Sequence, residues 1–392
     1  MVQYKLKKKF FVTIIIVLAG VIFSGTMQEY LFIFDVDEMI NSRKVELNTF
    51  GFYLKFLETN IQQYKSTANI LRAENYNLFK PDESAVLNVI SEIRSNQEFL
   101  TPSRRFEEFM DLYPDSIIIK TMYIQFSYNQ WTNDQIPETA KKMLVVLDEI
   151  DNKIGNNLFT SYYRSWILWR SRLFGNKEKA YTDLKLRNSQ FPQNKLIIET
   201  LINFGFQLNE FEDVSNYYQN YSSISLKNDQ TMAIVMRSFK NSGNILKTRE
   251  VADWLIKNTT NSYILTTVYE TLGDISTTLV QKENFYREAL RYDPDNPIIL
   301  GKVGLVYYEM DPKANLAAVR IYLNKSLSGY PNQPEVEKIL NEIRRKIRLN
   351  VFLKSILPIV LVVLSGVSLL LYFERKKTNQ LKEMERKAGK EE

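Results

Sequence analysis

The apolar positions along the chain predict its ends first. Four lysines (Lys5, Lys7, Lys8, Lys9) precede an apolar run from Phe10 to Phe23 that only Thr13 interrupts. Extended to Met27, it predicts a membrane helix over 10–27, because about 17–25 apolar residues span a bilayer. A secretory signal has the same make-up, with a small-residue exit at Ser24-Gly25, so a retained anchor and a cleaved signal are both open. Towards the other end, Ile356 to Phe373 carries no charge and has no polar face for water. It predicts a second crossing over 356–373, with Pro358 in its first turn, where a missing N–H costs little.

Between the ends the apolar period is helical. Residues 36–80 contain no Pro. Ile40, Leu47, Leu54, Ile61 and Ala68 recur at seven-residue intervals, as do Phe50, Leu57, Tyr64, Leu71 and Leu78. This a/d pattern predicts one stalk helix over 36–80, on the order of 60 Å long, ended by Pro81. Its seam could pair with a second copy as a coiled coil or pack on the chain's own next helix. Phe52, Tyr53 and Phe56 widen the apolar face beyond a strict seam. Over 83–348 the pattern is helix, short break, helix, without strand signals, which predicts an all-α repeat array.

One unit of that array is well marked: Phe285-Tyr286-Arg287-Glu288-Ala289-Leu290-Arg291-Tyr292-Asp293-Pro294, followed by Gly304 and Tyr307. Val319, Leu323, Ser326, Leu327 and Pro331 follow at similar offsets. Fainter copies are Gly175-Asn176 with Ala180 and Leu184, Val214 with Tyr218 and Tyr221, and Gly243-Asn244 with Ala252 and Leu255. These positions resemble the tetratricopeptide repeat (TPR). Stepping by its period of ~34 residues from Pro192 lands on the polar breaks at Lys227-Asn228-Asp229 and Asn258–Asn261 before reaching Pro294. Pro114 lies before Pro192 by a distance that fits two longer units, broken at 151–157. The resemblance implies a TPR-like α-solenoid closed by a capping helix over Glu335–Arg348.

Composition narrows the function. The chain is 45% hydrophobic and 24% charged, as a folded protein should be. It has no Cys and no His, which excludes thiol chemistry, Cys or His metal sites and imidazole catalysis. There is no Gly-rich phosphate loop, and pairs such as Glu107-Glu108 and Asp148-Glu149 sit at ordinary helix-surface spacing. The sequence therefore predicts no enzyme, no cofactor and no metal. A formal charge of +6 is too mild to imply nucleic acid, and no small-molecule substrate is indicated.

Charge also orients the chain. Lysines precede the first span, and Arg375, Lys376, Lys377, Lys382, Arg386, Lys387 and Lys390 follow the second. The positive-inside rule then puts residues 1–9 and 374–392 in the cytoplasm and the middle outside it. Arg344, Arg345, Lys346 and Arg348 resist this pattern. They close a terminal helix or meet anionic headgroups.

In TPR proteins the first helix of each unit lines a concave groove. Carried over by position, the resemblance exposes Trp169 and Arg172, then Glu199 and Asn203, then Arg237 and Lys240, and later Tyr308, as partner-binding residues. Glu199 stands where a carboxylate clamp would need Lys, which disfavours chaperone-tail binding. The expectation is a scaffold on the bacterial inner membrane whose periplasmic solenoid binds proteins of an envelope complex, with a homodimer through the stalk as one option. Architecture and an AT-rich residue usage resemble the scaffold proteins of the spirochaete periplasmic flagellar collar. An assembly factor that binds exported clients transiently is the other reading.

Overall fold

A computed structural model describes residues 30–33, 35–95, 97–190, 194–224, 227–311 and 316–388. The expected first span over 10–27 and the period marker Pro192 lie outside them. All regular structure among the described residues is helical. The chain divides into two compact units, Met1–Lys227 and Asn228–Glu392.

The first unit opens with α1 (Tyr30–Ile33) and α2 (Val36–Ile40), then α3 (Val45–Thr59) and α4 (Gln62–Glu74). The predicted single stalk over 36–80 does not form. Asn60 adopts a left-handed conformation, φ 58°, and ends α3. The chain then folds back, stacking Tyr64 on Phe52 and joining Tyr53 Oη to Asn69. The wide apolar face explains the difference. Tyr53 and Phe56 are fully buried beside the seam residues Leu47, Phe50 and Leu54, more apolar surface than a two-helix seam could cover. Ile61 and Leu78, placed in that seam by the heptad, are instead exposed.

After α5 (Pro81–Glu92) and α6 (Leu100–Leu112) come antiparallel pairs: α7 (Ile117–Asp134) with α8 (Pro137–Ile154), α9 (Leu158–Arg170) with α10 (Lys177–Gln190), and α11 (Lys195–Gln207) with α12 (Phe211–Tyr221). The second unit continues with α13 (Asp229–Asn241) and α14 (Ile245–Asn258), α15 (Ser262–Asp274) and α16 (Leu279–Tyr292), α17 (Pro297–Met310) and α18 (Leu316–Gly329).

The α7–α8 pair starts from a Ser116 cap, and the five pairs after it all begin the same way. Asn157, Asn194, Asn228, Asn261 and Asn296 cap α9, α11, α13, α15 and α17, each side-chain oxygen accepting from the first-turn N–H groups. An Asn cap satisfies donors that a helix start leaves unpaired. The small residues expected at helix crossings are fully buried: Ala180, Ala252 and Ala289. Gly273 allows the closest crossing. A Cβ there would lie 2.5 Å from Tyr286 Cδ1. In α12 Val214 and Tyr221 are fully buried where the pattern placed them, but between them Tyr217 is buried and Tyr218 half-buried, one position from the expected register.

α19 (Pro334–Val351) closes the array with Val336, Leu340 and Ile343 packed on Val319 and Leu323. It does not stop there. A π-helical turn, Phe352–Ile356, leads directly into α20 (Leu357–Ala388), so Pro334–Lys382 is one 49-residue helix. Pro358 is thus inside a helix rather than at its start. Its ring and missing N–H disturb the turn before it, and the wider π turn absorbs this, with Leu357 N–H reaching Phe352 O. Among the described residues Ile356–Phe373 packs on no other helix, and nearly all its apolar side chains stand exposed.

Candidate partner-binding site

The seven residues expected to line a groove fall into both units and into different environments. In the first unit Trp169 is 6% exposed and lies flat on Phe204, ring centroids 3.8 Å apart and planes 4° apart. Arg172 is exposed in the turn between α9 and α10. Glu199 and Asn203 share one face of α11, but both are engaged within the protein. Tyr221 Oη donates to Glu199 at 2.6 Å, and Gln207 Nε2 donates to Asn203 at 2.6 Å. Burial raises the Glu199 carboxyl above its usual range, against the lowering effect of the Tyr221 hydroxyl.

That shift has a testable sign. A raised folded pKa favours the protonated form, so the fold loses stability as pH rises through the Glu199 titration. Glu199→Gln keeps the acceptor for Tyr221 and removes the charge. The variant is expected to match the parent below about pH 4 and to be more stable at pH 7 by no more than about 1 kcal/mol, since the group keeps some water contact. Urea denaturation at the two pH values checks this.

In the second unit Arg237 is exposed, whereas Lys240 pairs with Asp274. Asp274, at the end of α15, also accepts from Lys302 Nζ at 2.6 Å and Tyr286 Oη at 2.8 Å, and Lys302 reaches Glu270 at 2.7 Å. One carboxylate therefore ties α15 to α13, α16 and α17. Burial would raise Asp274, but Lys302 and Lys240 outweigh it and hold the carboxyl below its usual range. Burial and Asp274 together push the Tyr286 hydroxyl up. Tyr308 donates to Glu342 at 2.8 Å and receives Lys346 Nζ at 2.8 Å, joining α17 to α19.

The sequence reasoning missed residues near Trp169 and Arg172. A cleft of about 480 Å³ is lined by these two with Thr132, Asn133, Gln135, Arg170 and Lys177. It sits where the turns of two successive hairpins, α7–α8 and α9–α10, come together. Gln135 ends α7 in a left-handed conformation, φ 55°. The second turn is tight at Gly175, where a Cβ would lie 2.8 Å from Leu168 O. Asn176 N–H bonds that same carbonyl at 3.1 Å. The signal was present in sequence as three cations within eight positions around a Trp.

No protein-family model matches the chain, and no curated protein matches it. Among solved structures it is similar to the human IFIT1 dimer with PPP-AAAA, at 11% identity over 69% of this chain and 65% of that one, TM-score 0.35. It is also similar to the APC/C hetero-tetramer Cut9-Hcn1, at 10% identity over 79% and 58% of the chains, TM-score 0.47. Naa15/Naa10 bound to HypK-THB gives 11% identity over 79% and 62%, TM-score 0.21. The chain spans about two thirds or less of the length of these three. Likenesses this distant carry no functional argument. The class rests on the chain's own helices: an all-α protein of tandem, Asn-capped helical hairpins of TPR-like pattern.

Proposed function

We propose that the chain is a membrane-anchored scaffold of a bacterial envelope, whose helical hairpins stand outside the cytoplasmic membrane and bind partner proteins of one assembly. A periplasmic flagellar motor collar is the narrower assignment. The observation that carries the reading is the exposed apolar stretch Ile356–Phe373, continuous with the helix that closes the repeats. An apolar surface of this length in water would drive aggregation, whereas a bilayer satisfies it. Arg375, Lys376 and Lys377 at its far end suit the cytoplasmic side. The tandem hairpins suit binding by surface complementarity, and the absence of His and Cys fits a binding role.

The chain has no native Cys, so single cysteines report placement without background. In cells with a permeabilised outer membrane, Asp253→Cys is expected to react with an impermeant maleimide. Lys382→Cys is expected to react only after lysis. The reverse pattern, or release of the protein by alkaline wash, would overturn the anchored reading. Photo-crosslinking from positions 172 and 237 then reads the partners. One fixed set of envelope components supports a scaffold, and flagellar motor parts support the collar. A shifting list of exported proteins would move the assignment to a transient assembly factor.

A further inference from the structure

Among the described residues, several cations at helix crossings are matched by carboxylates, as in Lys55–Asp37, Lys120–Glu149, Arg164–Asp151, Lys185–Asp213 and Lys302–Glu270. The cleft between the α7–α8 and α9–α10 turns differs. Arg170, Arg172 and Lys177 line it, no carboxylate does, and none of the three has a carboxylate partner among the described residues. Rings hold two of them in place. The Arg170 guanidinium lies 4.7 Å from the Trp166 ring centroid and 5.9 Å from that of Tyr128, and Lys177 Nζ lies 5.2 Å from that of Trp169. A ring positions a cation without neutralising it, so the charge stays available.

We infer that this cleft binds an acidic peptide segment of a partner protein, its carboxylates meeting Arg170, Arg172 and Lys177 and its backbone meeting the amides of Asn133 and Gln135. Charge complementarity selects the acidic class, since charge-assisted hydrogen bonds from Arg and Lys are the strong ones. The amides favour a peptide over a bare anion. Among the described residues, the amide groups of Asn133 and Gln135 use only their nitrogens, donating to Asn129 O and Thr132 O, so their carbonyl oxygens can accept peptide N–H groups. A volume of about 480 Å³ suits a few residues. Nucleic acid fits poorly. Trp169 has one face on Phe204 and the other under Lys177, leaving no platform for a base. The site lies at the hairpin turns, and of its lining residues the groove expectation named only Trp169 and Arg172.

The inference deepens the scaffold reading by naming the chemistry of one partner segment. Its assay uses purified full-length protein in detergent, so its failure is distinct from a failure of placement in cells. Fluorescence anisotropy would follow a labelled peptide of alternating Glu and Ser, with its Gln-for-Glu counterpart, inorganic phosphate and an oligothymidine strand as probes. The acidic peptide is expected to bind saturably and to weaken with added salt. Arg172→Gln/Lys177→Gln is expected to weaken it at least ~10-fold, and Arg249→Gln/Lys257→Gln, a charge-matched change elsewhere, by less than ~2-fold. Arg172→Gln alone removes no hydrogen bond or ion pair among the described residues and guards against an unfolded double variant. It is expected to weaken binding ~3-fold or more. Equal binding of the Gln peptide, or losses no larger than the control's, would overturn the inference. So would tighter binding of the oligothymidine, or full displacement by millimolar phosphate, which marks a simple anion site.

Discussion

Asp274→Ala is expected to lower the unfolding free energy of the unit Asn228–Glu392 by about 3 kcal/mol. The substitution strands Lys240 and leaves Lys302 with Glu270 alone, and it takes the acceptor from the Tyr286 hydroxyl. Breaking one partner of a buried ion pair costs roughly 3–5 kcal/mol. The side chains of Asp274, Lys302 and Lys240 keep 19%, 26% and 32% exposure, which places the cost at the lower end. The pH dependence follows from the depressed Asp274 carboxyl. Its contribution is complete above the unfolded Asp value, about 3.9, and is lost as pH falls from there through the folded value. The variant should therefore show a flatter acid limb. Hydrogen exchange of the α13–α17 amides, measured against urea and pH, reads both effects. Adding Lys240→Met and Lys302→Met to the variant should recover part of the loss. No recovery would mean that the carboxylate, rather than the stranded amines, sets the cost.

Gly273→Val is expected to cost as much or more, about 3 kcal/mol, in the same unit. Replacing a helical Gly would on propensity alone gain several tenths of a kcal/mol. Sterics decide the sign, because a Cβ at this position meets the Tyr286 ring within 2.5 Å of Cδ1. The ring is 5% exposed and packs with Ala289, Ile299 and Val303, so it has nowhere to go without opening the α15–α16 crossing. Displacing it also removes its hydroxyl from Asp274. Gly273→Val and Asp274→Ala should consequently combine to less than their sum, since they damage one constellation. Strict additivity would show that the ring stays in place and the backbone yields instead.

The helical hairpins were legible because packing at a crossing demands small or apolar residues at set offsets. Ala252, Leu255, Ala289 and Leu323 are buried where the pattern placed them. The Asn caps were not read as caps: Asn228 and Asn261 entered only as parts of helix-breaking polar clusters. Their spacing of ~34 residues marks the units more regularly than the prolines do. The stalk was misread because a seven-residue period reports one buried stripe and says nothing of what covers it. The left-handed turn at Asn60 has no strong sequence mark, and the chain covers its own stripe. The site was only partly legible. The TPR resemblance pointed to Trp169 and Arg172, but the cleft they line depends on Gln135 and Lys177 from separate turns. Glu199 and Lys240 are taken up by Tyr221 and Asp274, pairings that need three-dimensional neighbours.

The unbroken helix from Pro334 to Lys382 has a mechanical consequence in the anchored reading. At ~1.5 Å per residue, 49 residues make a strut of about 70 Å, clamped at one end by Val336, Leu340 and Ile343. A linker would let the hairpins swivel freely over the bilayer. A strut transmits torque, so a change in tilt within the lipid becomes a swing of the hairpins, and load on the hairpins is delivered back to the lipid. The π turn before Pro358 interrupts the regular α-helix of that lever just ahead of the apolar stretch.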